Sequence, residues 1–398
     1  MARRYLLLLA TGAFAAATVT AGFVWFMDPL AIYTSPRIEG VNALKPELRL
    51  RSRIFKTVRA ASGEYEALVV GTSRADVAID PQHEFFRGMR CFNAGTAGQS
   101  PGENLALVRS AAAGHLRRVL LLLDFEPANA YYEGAPDFVA ENYRPWRKAT
   151  LALDTRMLGL SARMPFLQDR EALLLSDSLW LADGRYMYPP PSHGNRVAAL
   201  VSETGYLSRD FFRGTERRFA LANATRRPVD STRELVRLSH EKGMELQMAI
   251  SPVHARQLEA IAAAGLWREW EDWKRALVAI NEEEARRAGR EPYPLWDFSG
   301  YNAVTTEPFP ALNDARLMRW HFESSHFTPA TGSLMLDRMG GKSDADFGTV
   351  LSSANLDRQI ASAREGRKTW RAANPRDVQE IQGLARILIP AHKRPDAT

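Results

Sequence analysis

A serine hydroxyl becomes a nucleophile near neutral pH only beside a base, most often a histidine that a carboxylate orients. The chain offers such a set, widely separated in sequence. Ser73 stands in "EALVVGTSRADVAID", residues 66–80, where an apolar run ends in a Gly-Thr-Ser-Arg turn. Far downstream, "MRWHFESSHFTPATGSLMLDRMGG" carries His321, Glu323 and His326. Thr328 is a good helix N-cap and Pro329 a good first helical residue. His326 is therefore expected in a loop that enters a helix, with Glu323 three residues earlier folding back to fix the imidazole tautomer. Of the other histidines, His254 in "AISPVHARQ" falls at a strand end. It is either a substrate or supporting contact near the same rim, or a loop residue.

Such groups need a scaffold that brings distant loops to one edge. Five short apolar runs read as strands: "EALVVG", "RCFNAG", "RRVLLLLDF", "ELQMAIS" and "YPLWDF". Amphipathic patterns such as "GENLALVRSAAAGHL", "STRELVRLSHEKG" and "REWEDWKRALVAINEEEARRAG" lie between them. Continuous apolar strands alternating with helices predict an α/β domain with a mainly parallel sheet covered on both faces. Ligands of open sheets of this kind sit beyond the carboxyl ends of the strands, where Ser73 is expected. Residues 130–230 break the alternation with aromatic, Arg, Pro and Gly residues, as a groove-shaping insertion or a surface excursion. After Gly341 the chain becomes polar and helical, a tail that packs on the domain or reaches a partner.

Four more strand-end residues belong to the same rim. Arg74, beside the serine, would bind an anionic group or pair with a core carboxylate. Asn93 precedes a glycine turn and would hold that loop by its side chain. Asp124 ends a buried strand and would hydrogen-bond the "GTSR" backbone. Asp297 ends the last strand and would support the His326 loop.

At 398 residues, with 45% apolar and 25% charged residues, the chain can bury a real core. The formal charge of +6 is scattered among acids, and no zinc knuckle, RNP-like or helix-turn-helix pattern is present, so nucleic acid is not an expected partner. The single cysteine, Cys91, excludes an intrachain disulfide and any cysteine-based zinc site. It reads as a core thiol. Neither a metal-ligand spacing nor a phosphate-cradling glycine loop occurs, and no cofactor is expected. Residues 5–27 are uncharged and long enough to cross a bilayer. A cleavable signal, with Ala13-Phe14-Ala15 as its site, competes, but the apolar stretch continues past that point, which favours an uncleaved anchor. With Arg3 and Arg4 inside, the remainder would lie outside the cytoplasm.

Taken in order, "VVGTSR", "FNAGTAGQSPGEN" and "HFESSHFTP" resemble the blocks of SGNH (GDSL-type) hydrolases. More closely, the chain resembles membrane-anchored SGNH-like proteins encoded with bacterial exopolysaccharide machinery, relatives of alginate O-acetylation and D-alanyl-lipoteichoic acid proteins. The resemblance implies a three-layer α/β/α domain over residues 61–340. Before it come an anchor (1–27) and a linker with a basic helix (28–60), and after it the tail (341–398). It further implies Ser73 as nucleophile, His326 as general base and Glu323 as its acid. Gly98 and Ser73 would supply backbone N–H groups to the oxyanion hole. Two departures stand out. The acid is Glu rather than Asp, and Glu126 falls near the position of the third-block Asn, where Asn129 or another donor would have to act. The implied activity is acyl-ester hydrolysis or O-acyl transfer on an exopolysaccharide or cell-envelope glycan outside the inner membrane, alongside polysaccharide-biosynthesis proteins. The alternative is a weak or inactive SGNH-fold protein that binds glycan or serves assembly.

Overall fold

The computed structural model describes residues 1–132, 144, 146–175, 180–187, 196–212, 219–310, 318–343 and 346–389. The core is one six-stranded sheet built from β1 (Ala67–Val70), β2 (Cys91–Asn93), β3 (Arg118–Leu123), β4 (Glu245–Ile250), β5 (Leu295–Asp297) and β6 (Thr349–Val350). Their spatial order is β2-β1-β3-β4-β5-β6, and every pair is parallel except β5 with β6. All five sequence-predicted strands are present. The sixth is an edge pair beyond residue 340, so the sheet outruns the boundary drawn from sequence.

The strands lack polar alternation because both faces are buried. Leu68, Val70, Val119, Leu121 and Leu123 point into a cluster with the helices Leu48–Ala60, Pro101–Ala111, Pro228–Lys242 and Trp267–Ala288. Their alternates Ala67, Val69, Leu120 and Leu122 face the helices Ser73–Ala78 and Pro329–Met339. A two-residue period sends successive side chains to opposite sides, and here each side meets helix. The chain steps from β1 outward to β2 and then back across β1 to β3. That reversal leaves a crevice at the carboxyl ends of β1 and β3, the usual ligand position in such sheets.

The N-terminal helix Ala2–Met27 is, among the described residues, the one helix long and apolar enough to cross a membrane. Residues 28–45 are not a free linker. Leu30, Ile32 and Tyr33 are buried, and Asp28 Oδ1 accepts from the Ile32 and Tyr33 N–H groups at 2.6 and 3.1 Å. The tail is helical, as its polar pattern predicts: the helix Pro375–Leu388 packs on the helix Ala255–Ala263. Much of the 130–230 insertion, with His193, and the end of the tail, with His392, lies outside the described residues.

Candidate active site

The β1 strand ends at Gly71, whose φ of +153° and close neighbours, with Leu122 Cβ 2.9 Å from where a β-carbon would sit, leave room only for glycine. The chain turns there, and Thr72 caps the helix Ser73–Ala78 by accepting from Arg74 N–H. Ser73 thus stands at the first helical position, half-buried, just past the carboxyl end of β1. At the other end of the domain Thr328 caps the helix Pro329–Met339, with Pro329 its first residue. The loop before it is held to the crevice.

Those two turns meet. Ser73 Oγ lies 2.7 Å from His326 Nε2, and His326 Nδ1 hydrogen-bonds Glu323 Oε1. An ionised carboxylate only accepts, so Nδ1–H donates to Glu323 and Nε2 is left to accept from the serine. Glu323 is completely buried and also accepts from the Ser325 and His326 N–H groups at 2.7 and 2.8 Å. Burial pushes its carboxyl up, but the His326 ring and those N–H groups outweigh this and hold it below the usual carboxylate range. Glu323 folds back on its own loop. The longer side chain is therefore accommodated.

The loop carrying Gly98 leans on the same turn: Thr96 N–H donates to Gly71 O at 3.1 Å. Gly98 has φ +62°, and a β-carbon there would strike Tyr132 Oη at 2.3 Å. Its carbonyl accepts from Tyr132 Oη at 2.7 Å. The N–H groups of Ser73 and Gly98 have no acceptor among the described residues. Asn93 holds this loop as expected, accepting from Gly95 N–H and donating to the carbonyls of Ala75 and Ile79.

No protein-family model matches the chain, and no curated protein matches it.

Arg74 pairs with core carboxylates, one of its two expected roles, while several other expected contacts take another form. Arg74 is buried and fully engaged, so it has no donor for an outside anion. It donates to the Ser325 carbonyl (2.6 Å) and Oγ (2.6 Å) and to both oxygens of Glu126 (3.0 and 2.6 Å), and pairs with Asp124 at 2.8 Å. Asp124 also accepts from Thr72 Oγ1 at 2.6 Å, a side-chain contact with the turn. Glu126 is the counter-ion of this arginine, with Gln257 donating to it as well. Asn129 spends its side-chain carbonyl on Tyr131 and Ala220 N–H, which ties two loops together, and none of its hydrogen bonds involves Ser73 or His326. Asp297 pairs with Lys274 at 2.6 Å and does not reach the His326 loop. His254 caps its helix through Nδ1, donates from Nε2 to Glu307 O at 2.8 Å, and holds the Ser324 carbonyl with its backbone N–H at 3.0 Å. It braces the loop from behind. His321 is bound by Glu307 (2.9 Å) and the Pro252 carbonyl (3.0 Å).

Sequence reasoning missed three contributors. Lys56, fully buried, pairs with Asp76 at 2.5 Å and pins the Ser73 helix to the Leu48–Ala60 helix. Its only signal was a lysine in a basic helix, indistinguishable from a solvated one. Tyr206 lays its ring 4.8 Å from the His326 ring, and Arg209 stacks over Tyr206 at 5.2 Å. These two pack in series on the His326 ring. Among the described residues no cluster of His, Cys, Asp and Glu could hold a metal ion.

Proposed function

We propose that the protein is an SGNH-type serine esterase or O-acyltransferase, anchored by its N-terminal helix with the main domain outside the cytoplasm, acting on acyl esters of a cell-envelope or exopolysaccharide glycan. The hydrogen-bonded chain Ser73–His326–Glu323 carries this reading. Its position at the β1/β3 crevice supports it.

In this mechanism Ser73 Oγ attacks the acyl carbonyl as His326 Nε2 takes its proton. The tetrahedral oxyanion forms against the Ser73 and Gly98 N–H groups, which face charge absent from the ground state. Collapse breaks the ester bond, and His326 returns the proton to the leaving oxygen. The acyl-enzyme then passes its acyl group to water or to a sugar hydroxyl that His326 deprotonates. Glu323 holds the imidazole in the tautomer that accepts at Nε2.

The test is release of acetate from an activated acetyl ester by the full chain in detergent. Ser73-dependent turnover, abolished in Ser73→Ala, supports the enzyme; equal rates in both sink it. Added oligosaccharide acceptors separate transfer from hydrolysis. The second reading, a glycan-binding component, draws on Glu126: bound by Arg74 and Gln257, it leaves the oxyanion two backbone donors and no side-chain amide. Glycan binding without turnover in either protein would favour it.

A further inference from the structure

One segment flanks the end of the N-terminal helix and has no part in the site. The segment 146–167 exposes large apolar side chains in sequence: Phe166 at 86% and Leu153 at 54%, with Trp146, Leu158 and Leu167 beside them. Arg156 and Arg163 are exposed among them. The helix Thr155–Arg163 explains the arrangement. Met157 and Leu160 are buried in the same core cluster as Val24, and the helix packs directly on Ala2–Met27. Its opposite side presents Arg156, Leu158 and Arg163 outward.

This segment is fixed at both ends to the chain just past the apolar helix. Tyr33 Oη donates to the Lys148 carbonyl at 2.9 Å. Gln168 exchanges two hydrogen bonds with the Leu44 backbone, at 2.9 and 3.2 Å. The 26-residue helix rises about 39 Å at 1.5 Å per residue, against a hydrocarbon core of about 30 Å. Its last turn, with Val24 and Met27 covered by protein, therefore emerges at headgroup depth. Whatever packs on that turn sits at the same depth.

We propose that residues 146–167 form a membrane-interface collar, lying in the headgroup layer of an anionic bilayer beside the anchor. The collar rests on the reading of Ala2–Met27 as a membrane span. Phe166, Leu153 and Trp146 enter the acyl boundary, while the arginines meet lipid phosphates, the pattern of interfacial segments. The surface would otherwise be an apolar patch exposed to water. Together, anchor and collar fix the tilt of the catalytic domain and the height of its crevice above the membrane.

The experiment uses the full chain in a Cys91→Ser background, with single cysteines carrying a polarity-sensitive fluorophore. Phe166→Cys reports the collar, Leu8→Cys the span, and Ile387→Cys an exposed apolar site on the helix Pro375–Leu388, which packs on the helix Ala255–Ala263. Each is reconstituted in vesicles of brominated phosphatidylcholine, with and without phosphatidylglycerol. The expected result is strong quenching at 8, and quenching at 166 at least about twofold above that at 387, enhanced by phosphatidylglycerol and reduced by high salt. Quenching at 8 with 166 no different from 387 overturns the collar and leaves the anchor standing. No quenching at 8 or 166 overturns both. A label at 166 shielded from water but not quenched, with chains crosslinking through position 166, assigns the patch to a second copy and also overturns the collar.

Discussion

Arg74, the residue after Ser73, donates from Nε to the carbonyl of Ser325, the residue before His326, at 2.6 Å. Ser73 and His326 are thus joined twice, once directly and once through their chain neighbours. The second link is rigid because the guanidinium is also held by Glu126 and Asp124 at the end of β3. Lysine keeps the charge but has no planar fork to span these partners. Arg74→Lys is therefore expected to lower the Ser73-dependent rate about 10- to 100-fold through kcat, with KM little changed. Arg74→Met leaves two buried carboxylates without a cation and should cost about 3–5 kcal/mol, read as a fall in the urea midpoint. An Arg74→Lys enzyme at full rate would show that the link does not position the pair.

Glu323 is expected to act through His326 alone. Glu323→Gln preserves size, but its amide can present a donor to Nδ1 and favour the wrong tautomer. The rate should fall about 10³- to 10⁴-fold, with the substrate still bound. The folded pKa lies below the usual carboxylate value, so the carboxylate adds stability above the unfolded pKa of about 4.3. That stability is lost as pH falls below it. Thermal melts from neutral pH down to about pH 3 should show wild type losing more stability than Glu323→Gln. Parallel curves would mean that Glu323 does not carry the acid sensitivity.

The acid-labile element at higher pH is His254. Burial, with His321 next to it, lowers its pKa to about 3, against about 6.5 unfolded. The unfolded chain takes up a proton that the folded one refuses. Stability is therefore whole above about pH 6.5 and falls by up to about 1.4 kcal/mol per pH unit as pH drops toward 3. His254→Asn, which keeps a capping acceptor, should flatten the melting temperature between about pH 6.5 and 5. An unchanged slope would assign the effect elsewhere.

The strands and the two chemical turns are legible in the sequence because their signals are local. Continuous runs such as "VLLLL", and Thr328-Pro329 as a cap, depend on neighbours alone. The partners of buried charges are not local. Arg74, Asp297 and Lys56 each offered a choice between solvent, ligand and counter-ion, and the choice was made by Glu126, Lys274 and Asp76, 52, 23 and 20 residues away. The β6 strand has only two residues, too few for a period, and forms because Trp296 and Asp297 present an open edge. Tyr206 had no pattern at all. Its place follows from the packing of its helix.

That packing turns on Arg256, which is fully buried and binds Glu203 bidentately at 2.8 and 2.7 Å. It also reaches Asp377 and Glu380 on the C-terminal helix, with Phe309 4.4 Å beneath its guanidinium. Glu203 lies about one turn before Tyr206 on the helix Arg196–Leu207. The tail helix adds Ile381 and Ala385 against Leu207 and Phe212. Arg256→Met strands Glu203 in an apolar interior and should destabilise by about 3–5 kcal/mol; Asp377 and Glu380, partly exposed, can turn to water. Adding Glu203→Leu removes the stranded charge, and the double variant should regain most of the loss, because an apolar pair can replace a buried ion pair at little cost. Urea melts of the four proteins complete the cycle, with acetyl-ester turnover as the second reading, since a displaced Tyr206 uncovers His326. Additive losses would mean that Arg256 holds the tail but not the helix that carries Tyr206.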